Sequence, residues 1–115
     1  MSKEMNRLNI LDRLKYGNDG KETGMLKNPD TGCFCVQGVI ADEYIKRTGN
    51  AVWTTDGVFR YGTMNKTAWL PQDVIEWSGF SDKEINYMTA LNDDDRAALT
   101  LAQIGRIMQL QDRQV

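Results

Sequence analysis

The chain has no histidine among its 115 residues. Serine or cysteine nucleophiles activated by an imidazole are excluded in their usual forms, and the commonest transition-metal ligand is missing. Cysteine is scarce too. The two present cannot close a structural zinc site within one chain, whether of four cysteines or of two cysteines and two histidines. Neither GxGxxG nor GxxxxGK[ST] occurs, so the glycine-rich cradles of dinucleotides and nucleotide phosphates are not encoded. No apolar run approaches the ~20 residues that span a bilayer, so no membrane is expected as a partner. The opening MSKEMNRLNI is charged and lacks an apolar centre of the secretory type, which leads us to expect a cytosolic protein. Basic charge is not in excess. The net charge is -2 and Lys and Arg are scattered, so no basic field points to nucleic acid. A catalyst built on this chain would have to use carboxylates, lysine, tyrosine or a lone thiol.

What remains is the material of one small domain, residues 1–115. The hydrophobic fraction of 41% suffices for one core and not two. KEMNRLNILDRLK, residues 3–15, sets Met5, Leu8, Leu11 and Leu14 near one helical face, with Ser2 as cap and Gly17 as stop. GNDGKETG at 17–24 reads as a polar loop and NPDTG at 28–32 as a turn.

GCFCVQGVIADEY follows at residues 32–44. After a short extended lead-in, Val36, Val39, Ile40 and Tyr44 recur at i, i+3, i+4 and i+8. That spacing predicts a buried helix over 35–48 ended by Gly49. Gly38 inside it costs about 1 kcal/mol relative to alanine, which points to a close approach by another backbone. Cys33 and Cys35 are too near in sequence to bond each other without strain. A helix N-terminus favours a thiolate at Cys35, but the apolar neighbours Phe34 and Val36 make both cysteines small core residues in this reading.

AVWT at 51–54 and VFRYGT at 58–63 flank Asp56-Gly57, a hairpin signature. Phe59, Tyr61 and Thr63 fall on one face of the second strand, and Val58, Arg60 and Gly62 on the other. Three helices come next. Pro71 suits the first position of one that Gly79 stops. Ser81 and Glu84 form a capping box before Ile85, Met88 and Leu91. Thr100 and Gln103 form another before Leu101, Ile104 and Met108, with Ile107 beside them. Trp69 and Trp77 are assigned to the core. The fold expected is α+β, about five helices around one core with a β-hairpin near residues 51–63.

These stretches resemble a family of small, largely uncharacterised tailed-bacteriophage proteins. That family carries a Cys-Cys-Leu-Gly-Val-Leu-like helix, a Leu-Pro-x-x-Val-x-x-Trp-x-Gly segment, a Leu-Asn-Asp step and a closing helix. The resemblance covers about residues 32–108. It rests on Cys35, Gly38, Val39, Asp42 and Tyr44, then Leu70, Pro71, Val74, Trp77 and Gly79, then Leu91, Asn92, Asp93 and Ile104. Val36 stands where the family has its second cysteine and Gln37 where it has leucine, so a vicinal thiol pair is not available here. The resemblance implies an origin, and with it the bacterial host's cytoplasm, but no mechanism.

Three functions are compatible with this sequence. The first is a non-enzymatic accessory protein that binds and modulates or inhibits a host protein, for instance one of its defences. Three Trp, four Tyr and six Met offer interface material, with Trp53 and Tyr61 on the hairpin and the acidic run Asn92, Asp93, Asp94 as candidate contacts. The second is a binder that sequesters a nucleotide signal, with Trp53 and Tyr61 stacking on a base and Arg60 meeting a phosphate. The third is a metal-dependent hydrolase using Asp42, Asp93, Asp94 and Asp95, a set that lacks the spacing of a calcium loop. The first is favoured because no catalytic constellation is encoded. It calls for no cofactor and no metal, and is compatible with a homo-oligomer.

Overall fold

A computed structural model describes residues 2–112. Helix α1 (Lys3–Tyr16) starts where the Ser2 hydroxyl accepts the Met5 amide at 3.1 Å. Its last turn carries Arg13 and Lys15, the charge its dipole favours there. Its buried residues are Asn6, Ile10, Leu11 and Leu14. Met5 and Leu8, expected inside, are 48% and 52% exposed. The neighbours decide this. Asn6 donates its side-chain amide to the Trp77 carbonyl at 2.8 Å, which turns the 6-10-14 row inward and carries Met5 and Leu8 away.

Helix α2 (Val36–Thr48) runs through the centre, buried from Val36 to Ala41. The reason for Gly38 is explicit: a Cβ there would overlap the Leu26 carbonyl. That carbonyl accepts the Cys35 amide at 3.2 Å, so the 20–34 loop is hung on the start of α2.

The hairpin is present with shorter strands, β1 (Val52–Trp53) and β2 (Phe59–Tyr61), paired Val52 to Arg60 and Trp53 to Phe59. A third strand, β3 (Met64–Lys66), extends the antiparallel sheet in the order β1-β2-β3. It was not expected, because Met-Asn-Lys has little of the β-branched or aromatic character that marks strands.

Helix α3 (Gln72–Ser78) has Pro71 as its N-cap, one position before the expected one. Gly79 ends it at φ 82°, a conformation that costs glycine little, and a Cβ there would overlap the Lys3 carbonyl of α1. Helix α4 (Asp82–Asp93) opens on the expected Ser81–Glu84 capping box. Helix α5 (Leu101–Asp112) opens on the Thr100–Gln103 pair, with reciprocal bonds of 3.1 and 2.8 Å. The fold is α+β, five helices with a small antiparallel sheet.

Ile10, Leu14, Leu26, Val39, Ile40, Phe59, Ile85, Met88, Ile104 and Met108 belong to one hydrophobic cluster. Trp77 packs edge-on against Tyr44 at 5.2 Å. Trp69, expected in the core, is 44% exposed. Among the described residues no helix is long and apolar enough to cross a membrane.

Candidate functional site

The sheet separates the three residues proposed for base stacking and phosphate contact. Trp53 and Tyr61 lie on its inward side. The Trp53 ring packs on Phe34 at 5.8 Å and Phe59 at 5.7 Å, and its Nε1 donates to Asp42 Oδ1 at 2.9 Å. Tyr61 meets Tyr44 edge-on at 5.9 Å and donates its hydroxyl to Asp73 at 3.1 Å. Hydrogen bonding with Tyr44 and then Asp73 pushes its pKa up to about 12. Arg60 lies in the Val52–Arg60–Asn65 row on the opposite side, and its Nε donates to Asn65 Oδ1 at 3.2 Å. A ligand touching both aromatic rings would not reach the guanidinium.

The acidic residues are divided in the same way. Asp42 sits on α2 in a charge network with Arg13 at 2.7 Å and Lys46 at 3.2 Å, which also takes in Asp19, Glu43 and Arg47. Burial would raise the Asp42 pKa, but the bonds from Trp53 and Arg13 outweigh it and hold the carboxyl below its usual range. Asn92 is buried. Its Oδ1 accepts the Val36 amide at 2.9 Å and its Nδ2 donates to the Glu22 carbonyl at 2.9 Å. It therefore caps α2 from the end of α4. Asp94 Oδ1 accepts the amides of Arg96 and Ala97 at 2.9 and 3.2 Å. Asp93 and Asp95 are exposed. Among the described residues no group of three His, Cys, Asp or Glu is arranged to hold a metal ion.

Cys35 is buried and is the N-cap of α2, its Sγ accepting the Gly38 amide at 3.4 Å. Burial pushes its thiol pKa up, against the amides that would lower it. Cys33, expected inside, is only partly buried.

The surface these elements leave is a cleft between the start of α2 and the end of α4, about 180 Å³ in volume. Its lining includes Met25, Cys35, Gln37, Trp69, Asn92 and Asp93. Met25 and Trp69 are 38% and 44% exposed. Gln37 is fixed, accepting from the Leu70 amide at 3.1 Å and donating to Thr89 at 2.9 Å. Trp69 also borders a second hollow with Gln72, Ile75 and Asp82. A larger hollow of about 400 Å³ lies elsewhere, where Glu76, Asp82 and Glu84 outnumber Lys3 in the lining, an acidic setting. Met25 and Trp69 were missed as site residues. The available signal was that Trp69, between Thr67-Ala68 and Leu70-Pro71, belongs to no periodic run that would carry it inward.

Comparison with family models matches residues 2–115 to one family, Domain of unknown function (DUF8296). No curated protein matches the chain, and no solved structure does.

Proposed function

We propose, from the premise that the chain belongs to the DUF8296 family, that it acts by binding another protein and not by turning over a substrate. The observation that carries this reading is the exposed indole of Trp69 beside Met25, above a cleft whose side-chain amides, Gln37 and Asn92, are already satisfied from within. Leaving apolar surface in water forgoes about 25 cal/mol per Å². Tryptophan is also among the side chains that most often dominate interfaces. Two features of the polar residues support the reading. Asn92 and Asp94 are occupied in holding helix and loop ends, and Arg60 stands apart from the aromatic residues a nucleotide would need. The likeness to tailed-phage proteins supplies the setting: the partner is a protein of the bacterial host, met in its cytoplasm, and binding modulates or inhibits it.

A photoreactive benzoylphenylalanine at position 69, irradiated in bacterial cells, tests this. The expected result is one discrete adduct of fixed mass, absent when the same probe replaces Val52 on the outer face of the sheet. No adduct at position 69, or the same pattern from both positions, would count against the reading.

A further inference from the structure

The cleft beside Trp69 is bordered by the C-terminal end of α4, where the charges run against helix chemistry. A helix C-terminus carries the negative end of the dipole and favours cations. Here Asp93 closes the helix, Asp94 is its C-cap, Asp95 follows, and the last turn holds no basic residue. Asp19, Asp42, Glu43, Glu84 and Asp112 each meet a lysine or arginine, while others such as Asp73 and Asp82 bond neutral groups. Among the described residues Asp93, Asp94 and Asp95 form no ion pair. Their partners are neutral amides, from Asn92 to Asp93 and from the backbone to Asp94. Of the three, Asp93 lines the apolar cleft, and it is near enough to oppose ionisation of Cys35 on its floor.

We propose that this cleft receives one apolar side chain of a partner segment, while Asp93 at its edge and the acidic end of α4 beyond it take a Lys or Arg next to it. The inference rests on the protein-binding reading and names the partner's recognition element as a basic, apolar-anchored peptide. The volume decides against a small molecule. About 180 Å³ falls below the roughly 300–1,000 Å³ of small-molecule sites and matches a single anchoring side chain. The charge decides the sign of the segment: a phosphate or an acidic peptide would meet like charge from the Asp93 carboxylate and a helix C-terminus.

Four short synthetic peptides serve as probes: alternating Lys and Leu, Glu and Leu, Ser and Leu, and Lys and Ser. Binding is followed by amide chemical shifts of the full chain. The Lys-Leu peptide is expected to bind, with shifts confined to Met25, Gln37, Trp69, Asp93 and their neighbours. Its affinity should fall roughly tenfold or more in Asp93→Asn/Asp95→Asn, and by a similar factor in Trp69→Ala. Added salt should weaken it. Equal binding of the Ser-Leu or Glu-Leu peptide at this face would overturn the basic requirement and leave the protein-binding reading standing. Equal binding of Lys-Ser would overturn the apolar anchor. If no peptide shifts this face, the inference fails. The photoadduct at position 69 then decides separately whether the protein-binding reading fails with it.

Discussion

Asn92 accepts the first amide of α2 and donates to the Glu22 carbonyl, so one buried side chain joins α4, α2 and the 20–34 loop. In Asn92→Ala both partners lose their bond. A buried polar group so stranded costs about 1–3 kcal/mol; the Val36 amide is buried and the Glu22 carbonyl partly so, and we expect a loss of about 2–4 kcal/mol in urea unfolding. A loss below about 1 kcal/mol would mean that water reaches both groups. Gly38→Ala should cost upwards of about 3 kcal/mol, because the obstacle is the Leu26 carbonyl and not a flexible side chain. That corresponds to a fall in Tm of roughly 10 °C or more. Ala98 carries the opposite opportunity. It holds φ 46°, where L-residues other than glycine are strained by about 1–2 kcal/mol. Ala98→Gly should therefore raise stability by up to about 1 kcal/mol, even after the added freedom of the unfolded chain.

At the scale of elements, what was legible in the sequence follows the range of the forces. The capping boxes at Ser81–Glu84 and Thr100–Gln103 and the Asp56-Gly57 hairpin are made by residues within a few positions of each other, and the sequence pattern places them correctly. Gly38 was legible as a close approach, though not what approached it. The buried face of α1 was legible in part: Leu11 and Leu14 are buried as expected, but the inward turn of Asn6 toward the Trp77 carbonyl, distant in sequence, was not. Strand β3 pairs with β2 despite a composition unsuited to strands. The cleft is assembled from residues near 25, 35–37, 69 and 92–93, so no local window contains its signal. The end of α4 gives a prediction at this scale. Asp95→Lys puts a cation at a helix C-terminus and should stabilise the fold by about 0.3–1 kcal/mol, while weakening the Lys-Leu peptide. A gain in stability paired with a loss of binding is the mark of a charge kept for recognition.

Across the whole molecule, two arginines tie the helices together. Arg7 of α1 bonds Glu84 of α4 at 2.6 Å and Asp112 of α5, and lies 4.4 Å above the Phe80 ring. Burial works against its charge, but these partners outweigh burial and keep it protonated. Arg13 does the same for α1 and α2 through Asp42 and Glu43. In Asp42 and Glu84 burial alone would raise the pKa, but the bonds from Trp53 and Arg13 to the first, and from Arg7 and the Ser81 amide to the second, leave both below the usual carboxylate range. A depressed folded-state pKa contributes stability above the unfolded value, about 4, and loses it as pH falls through the folded value. Stability should thus be insensitive to these groups between about pH 5 and 8 and should decline below about pH 4. Asp42→Asn should be less stable at neutral pH with a shallower acid limb, read from urea midpoints at each pH. An unchanged limb would place the acid sensitivity elsewhere.

The central claim is that one face, around Met25 and Trp69, meets another protein. The measurement that tests it most directly uses the partner captured at position 69 and single alanine substitutions of the exposed apolar residues. Met25, Leu8, Tyr16, Val52, Trp69, Tyr87 and Leu110 all stand out from the surface, so each variant should stay folded. The account predicts that affinity falls at least about tenfold in Trp69→Ala and measurably in Met25→Ala, with the other five near wild type. Losses concentrated at Leu8 and Tyr16 on α1, or at Val52 on the sheet, would contradict it.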